Sequence, residues 1–454
     1  MGCSTIDSLP ECCPIFPIFW SSINVNSSPG QILTLLTSPS LSVIVSNLAN
    51  LHSFPGRLSV CGGEAGNVQW IGVPGEIRGY EAAHRLYGKL PWADLFQPTI
   101  KLAREGFPIP YYQGQHIPRI NNTSIRKLYL DKNGNLLKTG DTVKFEKLAD
   151  TLEMIANEGP DVFYNGTIAK NLTSDIQDAG GNLTRKDLEL YEAKVTDAWN
   201  ISLGEYKLLI LNIMKGYKME SEPKTTDEKI LFYHRYIEAL KFANELKTNI
   251  SDPNFSSDEM AKKLTQDSFA DSKRSLISSD KTRDPGINLY LDSIGTTHVS
   301  VLAEDGSAVS VTSSINDESI RLRVLSPSTG IILNNQLSDF CGRADSSLLR
   351  PPSNMAPSVL KSPSKTLVIG GLALMNHLWF GKSLKEAIIT PVVLVDSKSE
   401  VKPEPKLEKD VVDGLEALGH KIAKFYNTVN AVEKAGSCIS AWSDERKKGK
   451  AAGY

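Results

Sequence analysis

The chain has 454 residues, 41% of them apolar and 22% charged, with a formal net charge of −2. That length supplies one large α/β unit or two to three domains' worth of chain, and the near-neutral balance points away from nucleic acid and anionic membrane surfaces. No unbroken apolar run reaches the roughly 18 residues that a membrane span needs: residues 12–20 carry two prolines, and residues 31–50 are broken by Pro39.

Residues 1–66 are rich in Ser, Pro and Cys with poor periodicity, and little independent order is expected there. From Val68 the texture changes. Residues 68–73 read as a short strand, Pro74-Gly75 as a turn, and the following stretch to residue 105 as two helices. Phe145, Leu148, Leu152 and Ile155 have helical spacing over residues 144–157. Ile230, Tyr233, Ile237 and Leu240 give a second amphipathic helix over 228–247, flanked by polar connectors at 217–227 and 249–284. The remainder is strand-rich. Residues 297–304 and 308–315 alternate apolar and polar on each side of Asp305-Gly306, a strong hairpin signal. Further strands are expected at 330–333, 367–370 and 392–395, and helices at 372–380 and 411–418. Mixed helices and antiparallel strands predict a layered α+β sandwich.

The compartment signal lies in N-x-[ST] sequons. Asn26, Asn121, Asn122, Asn165, Asn171, Asn182, Asn200, Asn249 and Asn254 all qualify, and every one precedes Thr296. Their one-sided distribution favours a glycosylated protein of the secretory pathway. Residues 1–13 nevertheless lack the basic and apolar regions of a signal peptide. The six cysteines contain no CxxC pair, which argues against a zinc ribbon or a thioredoxin motif.

Gly295-Thr296-Thr297-His298 stands directly ahead of the hairpin. Threonine is a weak nucleophile unless a base takes its proton, and one solution is to make it a chain N-terminus whose own α-amine serves. A preceding glycine permits the strained backbone that an internal acyl shift needs. The bland alternative is that Thr296 is one β-branched strand residue among several. His298 is a second candidate base, although a lone strand histidine is more often structural.

The block "GTTHVSVLAEDGSAVSVTSSIN" resembles the small-subunit start of the gamma-glutamyltransferase family, also called glutathione hydrolases. "QWIGVPGEIRGYEAAHRLYGKLPWADLFQPTIKLAREG" is similar to that family's large subunit, and "LSPSTGIILNNQLSDF", "PPSNMAPSVL", "LVIGG" and "SDERKKGKAAGY" to later blocks in the family's order. The first and second blocks lean towards the leukotriene C4-cleaving, type-five branch. The resemblance implies an N-terminal-nucleophile hydrolase with an αββα sandwich, cut before Thr296 into a large part (67–295) and a small part (296–454) that pair with each other. It implies no metal and no organic cofactor. The partners it implies are a γ-glutamyl substrate and an acceptor that is water, an amino acid or a dipeptide. It also implies a location on the outer face of the plasma membrane or outside the cell.

Carried over by position, Thr296 matches the nucleophile and Ser314 stands where a supporting Thr is usual. Asn316 matches a substrate-orienting residue. Asp339 matches the carboxylate on the substrate's α-amine, with Gln336 where the family has a Glu. Ser353 matches the first of two serines on the α-carboxylate, and Asn354 replaces the second. Gly370-Gly371 is a shortened form of the Gly-rich run that supplies oxyanion donors. The early carboxylate-pairing arginine has no counterpart, since Arg57 is not in a matching context. The departures at Gln336, the Gly run and the arginine support a second reading, a relative that keeps the fold and has lost turnover. Around these positions, 73–84 and 88–98 read as scaffold, and Asn334-Asn335 as turn residues.

Overall fold

The computed structural model describes residues 42–47, 68–195, 209–219, 221–247, 263, 266–283, 296–303, 305–315, 324–340, 357–361, 365–370, 373–391, 393–395, 401–404, 406–422, 429–447 and 450–453. Three strands form the first sheet: β1 (Ser42–Asn47), β2 (Thr296–Leu302) and β3 (Ala308–Ser314). The hairpin is the one the alternation predicts. β2 and β3 pair antiparallel from Thr296↔Ser314 to Leu302↔Ala308. Gly306 closes the turn at φ +85°, a conformation that glycine adopts without a Cβ penalty. β1 runs parallel to β3 on its other side, which leaves β2 at the sheet edge among the described strands. That strand lies inside the stretch from which little order is expected.

The second sheet holds β4 (Pro357–Lys361), β5 (Lys365–Gly370), β6 (Asn430–Ala435) and β7 (Cys438–Ser443). Its order is β7-β6-β5-β4, antiparallel throughout. Leu302 and Ala308 of the first sheet meet Val432, Val359 and Ala441 of the second, so the two sheets pack face to face. The outer face of the second sheet, with Leu367 and Ala431, is covered by Leu374, Leu384, Ala387 and Ile388 from two short helices. The first sheet meets helix α1 (Glu76–Tyr87), where Ser313 Oγ donates to Glu76 Oε1 at 3.1 Å. The layers are those of the expected α+β sandwich.

Helices α2 (Trp92–Glu105), α3 (Glu146–Glu158) and α4 (Thr167–Asp178) build the core of the large part. Phe145, Leu148, Leu152 and Ile155 are buried there, as their spacing predicts. A second core joins α5 (Thr226–Lys247), with Ile237 and Leu240, to α6 (Lys409–Ala417), with Val411 and Leu415. It therefore spans both parts of the chain. Among the described residues no helix is long and apolar enough to cross a membrane.

Four local expectations need correction. Val68–Trp70 is a 3-10 turn rather than a strand, with Trp70 buried in the helical core. Residues 330–333 form only an isolated bridge, Leu325↔Ile332. Gly330 sits at φ +72° with the Leu148 backbone 2.6 Å from where a Cβ would stand, so the chain turns here. The polar connector at 249–284 contains a helix, Asp267–Arg274, tied down by Arg274 donating to the carbonyls of Asn212 and Ile213. The helix expected over 372–380 is shorter, Leu374–Leu378.

Candidate active site

The first rung of the first sheet organises the site. Thr296 is the first residue of β2, and the register sets Ser314 directly opposite it. The side chain of Thr296 lies outside the described residues; that of Ser314 is half-buried. Just past Ser314, Ile315 accepts a hydrogen bond from the backbone N–H of Asn335 at 3.2 Å. This bond brings the "LNNQLSDF" block to the mouth of the hairpin. Gln336 and Asp339 sit in its 3-10 turn, Gln336–Phe340. Gln336 is 3% exposed, and the Asp339 side chain lies outside the described residues. Gly370 ends β5, paired with Pro357. Asn316, Ser353, Asn354 and Gly371 lie outside the described residues.

Asn334 explains the turn. Its carboxamide holds Gly72 by both backbone groups, accepting from N–H at 3.0 Å and donating to the carbonyl at 2.9 Å. It also accepts the N–H of Gln336 at 3.0 Å. A buried side chain thus ties the "IGVPGE" block to the turn beneath Gln336, and the turn reading of Asn334 holds. The terminal "SDERK" block is likewise a structural hub. Arg446 reaches Asp444 at 2.7 Å, Glu404 at 2.5 Å and the carbonyl of Ile388 at 2.9 Å.

Two polar groups stand beside the first rung; the first, Glu76, escapes sequence reasoning, and the second, His298, is the candidate base read from the sequence. Glu76 is half-buried at the start of α1, where desolvation raises its carboxyl above the usual range against the lowering effect of the Tyr80 and Ser313 hydroxyls. Nothing in its local sequence marks it. His298 lies two positions beyond Thr296. Its Nδ1 is 2.8 Å from Thr312 Oγ1, and its Nε2 is 3.2 and 3.3 Å from the hydroxyls of Ser300 and Ser310. Burial pushes its pKa down to about 4, so the imidazole is neutral at physiological pH and is poorly suited to be the base for Thr296.

Among the described residues, His234, Glu238 and His420 are the grouping that offers metal-ligand atoms, all within 4.8 Å of one another and buried. Most of its donor atoms are already engaged, although His420 Nδ1 is buried without a hydrogen-bond partner. His234 Nδ1 and His420 Nε2 share a hydrogen bond of 2.8 Å. Glu238 Oε1 takes the ammonium of Lys241 at 3.1 Å and the hydroxyl of Thr282 at 2.6 Å, and Oε2 takes the N–H of Arg283 at 3.2 Å. Lys241 supplies the positive charge that a metal would bring, so the residues fit a buried ion pair rather than a metal centre.

These histidines make stability pH-dependent. Burial holds His298 down to about 4, and burial with Lys241 and His234 nearby holds His420 down to about 3, against about 6.5 in an unfolded chain. Between those values the unfolded state binds more protons. Stability is therefore full above about pH 6.5 and is lost as pH falls, by at most about 1.4 kcal/mol per pH unit for each group. Urea midpoints at pH 7 and 5 should differ less in His298→Gln than in the unmutated protein. Equal differences would show that His298 does not titrate in this way.

The chain matches the family model described as gamma-glutamyltranspeptidase over residues 57–454. It is 39% identical to glutathione hydrolase 5 proenzyme of Rattus norvegicus, over 85% of this chain and 76% of that protein. It is 36% identical to the Homo sapiens protein of that name, over 85% and 77%. Among solved structures, cephalosporin acylase from Bacillus halodurans superposes with a TM-score of 0.71 at 21% identity, covering 90% of this chain and 84% of that one. That likeness supports the N-terminal-nucleophile sandwich as a fold. By these matches the chain belongs to the gamma-glutamyltranspeptidase family of enzymes.

Proposed function

We propose that the chain is a γ-glutamyl hydrolase and transferase that uses Thr296 as its nucleophile. The observation that carries this reading is the placement of Thr296 at the first rung of an edge strand, opposite Ser314, at the mouth of a two-sheet sandwich. With Thr296 as a chain N-terminus, its α-amine accepts the hydroxyl proton while Oγ1 attacks the γ-glutamyl carbonyl. The amine leaves with a proton, and a γ-glutamyl ester remains. Water or an acceptor amine then cleaves the ester and restores the hydroxyl. Gln336 and Asp339 would hold the substrate α-amine, Ser353 and Asn354 its α-carboxylate, and Asn316 its orientation. Backbone N–H groups at Gly370 and Gly371 would face the oxyanion. None of these steps needs a metal or an organic cofactor.

Glutathione is the proposed substrate, in keeping with the names of the relatives, and its conjugates, leukotriene C4 included, are proposed from the sequence resemblance alone. A location outside the cell has three supports. Asn121, Asn122, Asn165 and Asn182 are exposed sequon positions. Asn171 suits an acceptor less, since it lies on α4 with the hydroxyl of Thr173 buried against the carbonyl of Ala169. Asn200, Asn249 and Asn254 lie outside the described residues. Cys438 is disulfide-bonded, and disulfides persist in oxidising compartments. The third support is the one-sided run of sequons itself.

Purified protein should release chromophore from a γ-glutamyl anilide in proportion to its concentration, and Thr296→Ala should release none. If both release equally little, the reading of a fold retained without turnover takes over. Gln336 favours that second reading: it lacks the charge of the family's Glu, and charge-assisted hydrogen bonds are about twice as strong as neutral ones.

A further inference from the structure

The interior between the two sheets is polar where it meets the nucleophile strand. On the even-numbered positions of the hairpin, His298, Ser300, Ser310 and Thr312 precede the apolar pair Leu302 and Ala308. Ser310 is fully buried and Thr312 is 3% exposed. Burying such groups costs free energy unless each finds a partner, and His298 is the partner they share. The second sheet completes the arrangement. Asn430 of β6 donates its Nδ2–H to the backbone carbonyl of His298 at 3.1 Å, across the open edge of β2. Its Oδ1 accepts from Ser443 Oγ at 2.7 Å and from the N–H of Asp444 at 3.2 Å, so the carboxamide is fixed. Ser300 Oγ donates to the carbonyl of Asn430 at 3.4 Å.

We infer that His298 and Asn430 are positioning residues that pin the start of the nucleophile strand from both sides, the side chain through Thr312 and the backbone through Asn430. This inference rests on the reading of Thr296 as nucleophile. Cleavage before Thr296 turns an internal strand into a chain terminus on a sheet edge, and chain termini fray unless tied down. Among the described residues Thr296 is held by the ladder to β3. The pin two residues further on limits the reach of any fraying to the end rung. Before cleavage Thr296 is not yet a chain terminus, so the pin matters more for turnover than for maturation.

The expected result is a split between the two. His298→Ala and Asn430→Asp should still be cut before Thr296. In both, kcat should fall by about 10²-fold, the order that a misplacement of about 1 Å costs, with KM changed by less than about threefold. His298→Asn, whose carboxamide reaches the place of Nδ1, should recover most of the kcat. Asn430→Asp retains the acceptor for Ser443 and replaces the donor to His298 with a charged acceptor that repels the carbonyl, so it breaks the backbone side of the pin and tests it if His298→Ala fails to fold. Hydrogen exchange gives a readout that does not depend on turnover. In whichever form the chain is purified, Asn430→Asp should raise exchange of the amides over 296–300 relative to 308–314. Unchanged exchange there, or an unchanged kcat in an active enzyme, would overturn the pin. Inactivity of the unmutated protein with raised exchange in the variant would instead count against the proposed activity and leave the pin standing.

Discussion

On a denaturing gel the purified protein is expected to run as two chains, residues 1–295 and 296–454, and Thr296→Ala as one. The argument starts from the bond before the strand. In the intact precursor Thr296 has no free amine, so the first event must be attack of its hydroxyl on the carbonyl of Gly295. The Gly295–Thr296 amide breaks, an ester to Oγ1 forms, and the proton passes to the freed amine. Water then opens the ester and leaves a Gly295 carboxylate and a free N-terminal threonine. A glycine at the leaving side lowers the steric cost of the strained backbone this requires. β2 supplies the other half, since pairing from the Thr296↔Ser314 rung onward holds the nucleophile against a rigid strand. Alanine removes the attacking atom and leaves the strand intact, so cleavage and γ-glutamyl turnover should vanish together while the melting temperature stays close to that of the precursor. Thr296→Ser retains a hydroxyl and should still be cut. The decisive measurement is the N-terminal sequence of the smaller chain. A single intact chain from the unmutated protein, or a small chain that starts elsewhere, would refute the maturation step.

The sequence discloses the hairpin but not its setting. Alternation around Asp305-Gly306 fixes the strands and their register, yet an antiparallel strand with one polar face is ordinarily read as half solvated. Here the polar face is the one turned to the second sheet, as the burial of Ser310 and Thr312 shows. The partner that makes this tolerable, Asn430, is more than a hundred positions away along the chain, and no local pattern announces it. The hairpin of β6 and β7 was invisible for a related reason. Glu433 and Lys434 look like loop residues, but Glu433 is paired with His377 at 3.0 Å and Lys365 at 3.3 Å, contacts that exist only after β6 has joined β5. At the candidate site, the proposal of Thr296 as nucleophile comes from its glycine neighbour and from the family resemblance, and the structure adds its place opposite Ser314. The meeting of Gln336 with the first rung depends on one backbone bond, Asn335 to Ile315, and on the Asn334 carboxamide holding Gly72. Such long-range satisfaction of backbone groups leaves no periodic trace.

Glu238→Gln should be among the most destabilising single changes in the chain, by about 3–5 kcal/mol, because it strands a buried cation. Glu238 and Lys241 are 1% and 3% exposed at their side chains. Lys241 Nζ has its three donors engaged by Glu238, by the hydroxyl of Thr282 and by the carbonyl of Arg283. A neutral amide in place of the carboxylate leaves the ammonium with hydrogen-bond acceptors but no opposite charge. The loss extends beyond the pair. Thr282 is also held by its N–H to the carbonyl of Leu418 at 2.8 Å, and His234 bonds both His420 and the carbonyl of Ser278 at 2.8 Å. The network therefore fastens residues 278–283, the last described residues before Thr296, to α5 and to the small part. After cleavage it and the shared core around Ile237 and Leu415 help keep the two parts together, beside the contacts of Asn334 with Gly72 and of Leu333 and Leu337 with the large-part core. The double variant Glu238→Leu/Lys241→Met tests the cause. Removing both charges together should cost less than the single change, since replacing a buried ion pair with apolar groups is often close to neutral. Urea midpoints of the single and double variants decide it. A single variant that costs under about 1 kcal/mol would mean that solvent or another group already compensates Lys241. A double variant worse than the single would mean that packing, not charge, is what Glu238 contributes.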